Sequence, residues 1–414
     1  MNKSDSERIA TVLEKIGYRP ASDIKKTDLI TVNMCSVRQS AVDRVFGLKL
    51  KFNDLKRKNK KLKTILTGCI LRKDLPKFKD FFDYILSIKT LPDWNKFLKK
   101  KKYFSLDLEK NGRYLNFEVK PKNNFRALVP VSNGCNNFCS YCVVPFTRGP
   151  LVCRNHREVL KETKKAVERG AKEVWLLGQN VNDYCSPTDV SVDFPELLKK
   201  ADGIPGNFWI RFTSPNPKDF SEKLINAMAN SEKITEYLNL PLQSGDNQIL
   251  KKMRRAYTAE KYKNLVKKIR SKIPEISLST DIIVGFPSES KSQFENTAKL
   301  FKEIKFDMAY ISKYSPRPGT VAEKMKDNVL PVEKNKREKI LTEILKKTAL
   351  EKNKKYIGKT IEVLTENYKK YFLTGKTRTY KTVKFKGKKD SIGKFKKVRI
   401  TDALPWGLKG NLCK

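Results

Sequence analysis

The period of the apolar positions changes along the chain and divides it. A helical stripe, Ile9, Val12, Leu13 and Ile16, follows a capping-box pattern, Ser4-x-x-Glu7, and is closed by Gly17. Short apolar runs of strand character stand at Asp28 to Val32, Thr64 to Leu66 and Tyr84 to Ile88, with helical stretches between them. That alternation predicts a small parallel α/β domain over 1–119. The lysine run Lys99 to Lys102 and the polar stretch Lys120 to Asn124 mark its boundary.

Six further runs follow: Arg126 to Val131, Glu173 to Leu177, Phe208 to Thr213, Glu236 to Leu240, Ile276 to Val284 and Asp307 to Lys313. Helical segments separate them, which predicts a parallel barrel or part of one over 120–350. Each run ends in a loop. The first is the cysteine loop at Cys135, and the next are Gly178-Gln179-Asn180-Val181-Asn182 and Ser214 to Pro217. Then come Pro241-Leu242-Gln243-Ser244-Gly245, Gly285-Phe286-Pro287 and Tyr314 to Gly319. Barrels of this type build their sites from loops at the carboxyl ends of strands, so the six loops are expected to frame one mouth. Pro287 and Pro318 read equally well as turn chemistry. Gly178 to Asn180 and Gln243-Ser244 offer close backbone approach and amide or hydroxyl partners, which suit a polar cofactor.

A lysine-rich helix from Glu333 to about Lys355, with Ile340, Leu341, Ile344 and Leu345 on one face, leads into a strand-rich segment over 351–414. Its runs, such as "KTIEVLTE" and "KYFLTGKTRTY", interleave basic and aromatic residues. A small barrel that grips RNA has this composition, and so does a plain packing barrel.

Length and charge narrow the possibilities. The 414 residues suffice for two to three domains, and no run of ~18 apolar residues suggests a membrane span. The start, Met1-Asn2-Lys3-Ser4-Asp5, lacks the apolar core of a signal peptide, so a cytoplasmic protein with no membrane partner is expected. Eight cysteines fit a reducing compartment better than a disulfide framework. Lys+Arg at 88 against Asp+Glu at 45 gives a net charge of +43, a field that attracts nucleic acid or any other polyanion. Lysine is abundant throughout the chain, however, and charge runs are usually solvated faces.

The chemistry concentrates in Asn133-Gly134-Cys135-Asn136-Asn137-Phe138-Cys139-Ser140-Tyr141-Cys142, which reads C-x3-C-x2-C. Three thiolates within eight residues favour an iron-sulfur cluster or zinc. Structural zinc requires a closed four-ligand shell; no fourth cysteine stands at the right spacing, and the only histidine is His156. Three ligands on a four-iron cluster leave one iron open. Two further cysteines, Cys35 and Cys69, follow predicted strands of the first domain, where loops at one sheet edge carry ligands.

The triplet, with Tyr141 before its third cysteine, resembles the radical S-adenosylmethionine (SAM) superfamily, whose open iron binds SAM. The longer string "GCNNFCSYCVVPFTRG" resembles its methylthiotransferase branch. That resemblance covers essentially the whole chain. It implies a partial (β/α)6 barrel, an N-terminal domain holding a second cluster, and a C-terminal RNA-binding TRAM domain. It also implies two 4Fe-4S clusters, one on Cys135, Cys139 and Cys142 and an auxiliary one with Cys35 and Cys69 among its ligands. SAM contacts would come from Tyr141, Gly178, Gln179, Asn180, Gln243, Ser244 and Gly285.

"MNKSDSE", "NMCSVR" and "TGC" look like the family's three auxiliary-cluster motifs, but the cysteine of the first would stand two residues before Met1. A start clipped from a longer protein is the expectation, and a paralogue that lost the ligand is the competing one. The loop "LLGQNVNDY" resembles the MiaB branch, which acts on isopentenyladenosine in tRNA. The RimO-like branch acts on a ribosomal-protein aspartate and typically carries Q-D-T there. A non-catalytic iron-sulfur RNA-binding protein is a further alternative. The expected partners are tRNA carrying isopentenyladenosine and an electron donor such as flavodoxin or ferredoxin, with the chain a monomer. Departures from the family pattern are Pro150 to Arg154, and Asn216, Tyr237 and Asn239 where histidines are common. Cys153, Cys185 and Cys413 are read as ordinary thiols.

Overall fold

The computed structural model describes residues 1–106, 112–119, 121 and 124–413, so part of the Lys120 to Asn124 stretch lies outside the described residues. Two compact units result. One comprises Met1–Lys122, Pro130–Glu158 and Ser315–Lys324; the other comprises Asn123–Val129, Val159–Tyr314 and Met325–Lys414.

The first unit is built on a parallel sheet of β1 (Leu29–Met34), β2 (Lys63–Gly68), β3 (Tyr84–Leu86) and β4 (Tyr103–Ser105), in that spatial order. Met34 pairs with Gly68, and Leu66 with Ile85, so the three loops beginning at Cys35, Cys69 and Ser87 leave the same sheet edge. Alternate strand residues serve two cores. Met34, Leu66 and Ile85 pack with Phe52, Phe78 and Phe82, whereas Ile65, Tyr84 and Leu86 pack with Ile9, Val12 and Trp94. Each such buried side chain contributes about 1.5–3 kcal/mol relative to exposure.

The first helix runs Asn2–Lys15, three residues earlier than the capping box implies. Ser4 lies inside it, and its hydroxyl accepts from Arg8 Nη1 at 2.6 Å instead of capping the helix. The lysine run Lys99 to Lys102 is also not a boundary, because it leads into β4 of the same sheet. A three-residue strand carries too few positions to show a period.

In the second unit, β5 (Arg126–Pro130), β8 (Glu173–Leu177) and β11 (Trp209–Phe212) form one sheet. β6 (Ser132–Asn133) and β7 (Val152–Cys153) belong to the first unit, and β9 (Cys185–Ser186) with β10 (Asp189–Asp193) forms a small hairpin. β12 (Tyr237–Asn239), β13 (Ser277–Val284) and β14 (Met308–Lys313) make a second sheet. An Ile210 to Ile234 bridge joins the two sheets, so the six expected strands follow one another in space as in sequence. This is the wall of a partial (β/α)6 barrel.

The helix Pro331–Lys354 buries Leu341 and Leu345 but leaves Ile340 exposed, a narrower stripe than the pattern suggests. It leads to a closed barrel of order β15-β16-β17-β19-β18, made of β15 (Thr360–Lys369), β16 (Phe372–Thr377), β17 (Thr382–Lys386), β18 (Phe395–Leu404) and β19 (Gly407–Leu412).

A buried arginine fastens this small barrel to the larger one. Arg211 bonds Glu173 at 2.6 Å and donates to the carbonyls of Thr377 and Arg378, both at 2.7 Å. The rings of Trp175, Trp209, Tyr237 and Tyr380 surround its guanidinium. Arg378 pairs with Glu236 at 2.8 Å, and Asp307 with Lys352 and Lys381 at 2.7 Å each. Glu173, Glu236 and Asp307 stand at the amino ends of β8, β12 and β14, so the small barrel packs opposite the carboxyl-end loops.

Burial alone would raise the Asp307 carboxyl, but Lys381 and Lys352 outweigh it and hold the group below the usual carboxylate range. A depressed folded value stabilises the protein above the unfolded pKa of about 3.9 and is lost as pH falls through the folded value. Asp307→Asn is expected to flatten that acid limb. It should also cost about 3–5 kcal/mol at neutral pH, because two buried ammonium groups lose their partner. Urea midpoints measured against pH test both effects.

Candidate metal centre and ligand loops

The cysteine loop is closed at its base by the antiparallel pair β6 and β7, with Asn133 opposite Val152. Gly134 has φ +85°, and a Cβ there would meet the Pro150 carbonyl at 2.0 Å, so only glycine lets the two arms of the loop approach. Cys135 N–H donates to the Gly149 carbonyl at 3.2 Å, and Leu151 N–H to Asn136 Oδ1 at 3.0 Å. A turn from Cys139 to Cys142, closed by a 3.0 Å bond, follows Phe138 at φ +46°. Asn137 Nδ2 reaches Cys135 Sγ at 3.4 Å.

Cys135, Cys139, Cys142 and Tyr141 are all half-buried. Three soft donors on one shaped loop, each still reachable, suit a cluster inserted from outside. Among the described residues no three Cys, His, Asp or Glu side chains converge on a common point.

In the same unit, the edge of the parallel sheet presents Cys35, half-buried, and Cys69, buried. Cys69 N–H donates to the Met34 carbonyl at 2.9 Å, and Ser36 Oγ donates to the Cys69 carbonyl, so the two loops are laced together. Burial pushes the Cys35 thiol up, partly offset by the Val37 amide, while Cys69 adds to the rise.

Arg148, at the end of the cysteine loop, is buried here. Its Nε donates to Cys69 Sγ at 3.2 Å and its Nη2 to Asp5 Oδ2 at 2.6 Å and Asn2 Oδ1 at 2.8 Å. Nη1 reaches Asn133 Oδ1 at 3.1 Å and the Tyr114 hydroxyl at 3.4 Å. Burial opposes its charge, but Asp5 and Cys69 more than compensate and raise its pKa. One guanidinium thus ties the loop of three cysteines to the edge that carries the other two. In the sequence, Arg148 stands only as the penultimate residue of the cysteine motif. The available signal was Asp5, an acid on the inward face of the first helix.

In the second unit, Gly178, Gln179 and Asn180 follow β8 as expected. Asn180 is buried, and its side-chain amide lies against the Asp183 carboxylate. Asn182 and Asn216 exchange two bonds, 2.8 and 3.0 Å, which pins the loops after β8 and β11, and Arg255 donates to Asn216 Oδ1 at 3.0 Å. Gln243 adopts φ +68° and is held through its backbone by Asp281 and Ile283. The Ser244 hydroxyl is engaged with Thr297 and the Asp246 amide, a turn-holding role. Gly285 N–H donates to Glu289 at 2.7 Å, and a Cβ there would strike Lys334. Tyr237 and Asn239 join a polar ladder through Ser279 to Asp281.

The geometry has parallels among known proteins. Residues 129–301 match the model of the Radical SAM superfamily, residues 1–87 that of the uncharacterized protein family UPF0004, and residues 354–413 that of the TRAM domain. The fold resembles the radical S-adenosylmethionine methyltransferase TsrM from Kitasatospora setae, with TM-score 0.56 at 14% identity, covering 78% of this chain and 73% of that one. It also resembles the cobalamin-dependent S-adenosylmethionine radical enzyme OxsB, with TM-score 0.51 at 13% identity over 82% and 54%. The fold and the cysteine loop are those of the radical SAM class.

Closer relatives narrow the class. A Carboxydothermus hydrogenoformans protein is 40% identical, covering 100% of this chain and 97% of its own. One from Thermoanaerobacter sp. is 39% identical over 100% and 90%, and one from Clostridium botulinum 40% over 99% and 94%. All three are named tRNA-2-methylthio-N(6)-dimethylallyladenosine synthase. The chain belongs to this family.

Proposed function

We propose that the protein is a tRNA-modifying enzyme that adds a methylthio group to C2 of N6-isopentenyladenosine, also called dimethylallyladenosine, beside the anticodon. The observation that carries this reading is the presence of both cysteine sets in one compact unit, with Arg148 bonded to Cys69. Such chemistry needs a radical site and a sulfur site served together. Near full-length identity to synthases of that name supports the substrate.

The cofactors are SAM and 4Fe-4S clusters, one held by Cys135, Cys139 and Cys142 and an auxiliary one with Cys35 and Cys69. When bound, the first supplies the electron that cleaves SAM to a 5′-deoxyadenosyl radical, able to take hydrogen from a carbon with no acidic proton. The chain's own residues shape the site. Gly134 and the Cys139 turn present the thiols and Arg148 fixes the end of the loop, while the family resemblance assigns SAM contacts to Tyr141 in the first unit and to Gly178, Gln179, Asn180, Gln243 and Gly285 in the second, where Ser244 holds its turn through Thr297 and the Asp246 amide. The charge of +43 and the closed C-terminal barrel serve tRNA binding. The protein works as a cytoplasmic monomer fed by flavodoxin or ferredoxin, with domains over 1–119, 120–350 and 351–414. No helix among the described residues is long and apolar enough to cross a membrane.

Asn180→Ala is expected to weaken SAM binding about ten-fold, the value of one hydrogen bond to a charged group, and to lower Tm only by the loss of its contact with Asp183. Equilibrium binding of SAM and a melting curve check it. The reaction class is tested with tRNA deuterated at C2 of the isopentenyladenosine. Deuterium appearing in 5′-deoxyadenosine supports the reading, and unlabelled 5′-deoxyadenosine beside labelled, unmodified tRNA refutes it.

A further inference from the structure

The cysteine loop carries two aromatic side chains that neither the cluster nor the fold accounts for. Phe138 precedes Cys139 and is 51% exposed, and Phe146, on the short helix Val144–Arg148, is 47% exposed. Among the described residues neither ring stacks on another ring or lies under a cation. Phe138 also sits at φ +46°, a region that a bulky side chain enters only with strain and that asparagine, present at the two preceding positions, enters more readily. A half-wet phenyl ring contributes little hydrophobic stabilisation to offset that strain. The turn explains the backbone at Phe138 and leaves the outward ring unexplained.

We infer that Phe138 and Phe146 stack on the unpaired RNA bases adjoining the target adenosine and so hold it over the cysteine loop. The inference rests on the proposed function and deepens it, because C2 must come to a radical formed at the cluster on this same loop, and its neighbours in the RNA must then lie across the loop's outer face. Every base offers a π face to an aromatic ring, whatever its sequence. Cations stand ready for the phosphates between those bases. Arg148 bonds the cysteine loop to Cys69 at 3.2 Å, and the sheet edge that bears Cys69 exposes Arg38, three residues after Cys35, and Arg72, three residues after Cys69. Rings standing singly beside cations suit planar bases joined by phosphates, whereas a docked peptide helix would need a continuous apolar groove.

The test uses the full chain with its clusters assembled and an anticodon stem-loop RNA carrying isopentenyladenosine, either intact or with abasic sites at both neighbours of that nucleoside. Equilibrium binding is measured with each RNA, alongside iron content and SAM affinity. Phe138→Leu and Phe146→Leu keep an apolar side chain and lose the ring. Each is expected to weaken binding of the intact RNA about ten-fold at unchanged iron content and SAM affinity, and Phe138→Trp and Phe146→Trp should retain wild-type binding. On the abasic RNA the wild type and the leucine variants should bind alike, because base and ring belong to one interaction and its loss is counted once.

Equal affinity of the wild type and both leucine variants for the intact RNA overturns the inference. So does a loss of affinity that persists undiminished on the abasic RNA, because the rings would then act elsewhere. Loss of iron or of SAM affinity with RNA binding unchanged also overturns it and assigns the rings to the cluster loop itself. If the wild-type chain does not bind the isopentenyladenosine RNA at all, the tRNA reading falls and takes the inference with it, whereas tight binding that ignores both rings removes the inference alone.

Discussion

Cys139→Ala is expected to abolish methylthio-nucleoside formation and to lower the iron content by about four atoms per chain. The loop supplies three thiols, and two leave the cluster without the ligand that lies between the Cys135 arm and the Cys142 turn. The metal-free variant should melt close to the metal-free wild type, since Cys139 is half-buried and a small side chain replaces a small one. Loss of metal explains the remaining difference between the loaded forms. Cys153→Ser, Cys185→Ser and Cys413→Ser serve as comparisons and should retain both iron and activity. Iron analysis with nucleoside mass spectrometry reads the series. Normal iron in Cys139→Ala would refute the ligand assignment.

Arg148→Met carries the second large effect, and it acts first on the fold. Removing the guanidinium leaves Asp5 as a buried carboxylate, one of whose oxygens already lacks a hydrogen-bond partner. Breaking a buried ion pair from one side costs about 3–5 kcal/mol. The double variant Asp5→Asn, Arg148→Met should be more stable than the sum of its single changes by at least about 1 kcal/mol, the signature of direct coupling. Urea denaturation of all four forms measures this. Additive losses would show that Arg148 acts through Asn2, Asn133 and Tyr114 instead. Lost methylthio transfer in the refolded double variant, with iron intact, would separate the Cys69 contact from the stabilising one.

These two residues show what a sequence discloses and what it conceals. The cysteine loop was legible because its ligands are local: three thiols at C-x3-C-x2-C lie on one loop whatever the surrounding fold. The six barrel strands were legible for a similar reason, since each is a run of apolar residues ending in Gly, Pro or small polar groups, and all six form. Arg148 was not. Its meaning lies in partners far along the chain, Asp5 and Cys69, and no period or spacing encodes that.

Ser4 misled for the opposite reason. A capping-box pattern is local, but a tertiary demand from Arg8, itself held by the Leu115 carbonyl, took the hydroxyl. Ser244 and Asn180 looked alike as polar loop residues. Packing divides them, engaging the Ser244 hydroxyl with Thr297 and the Asp246 amide and setting the Asn180 amide against Asp183.

The most direct measurement is mass spectrometry of tRNA nucleosides from a host lacking its own methylthiotransferase and expressing this chain with its clusters assembled. 2-Methylthio-N6-isopentenyladenosine is expected in wild type and only isopentenyladenosine with Cys139→Ala. Unmodified isopentenyladenosine in both, despite loaded clusters, would contradict it.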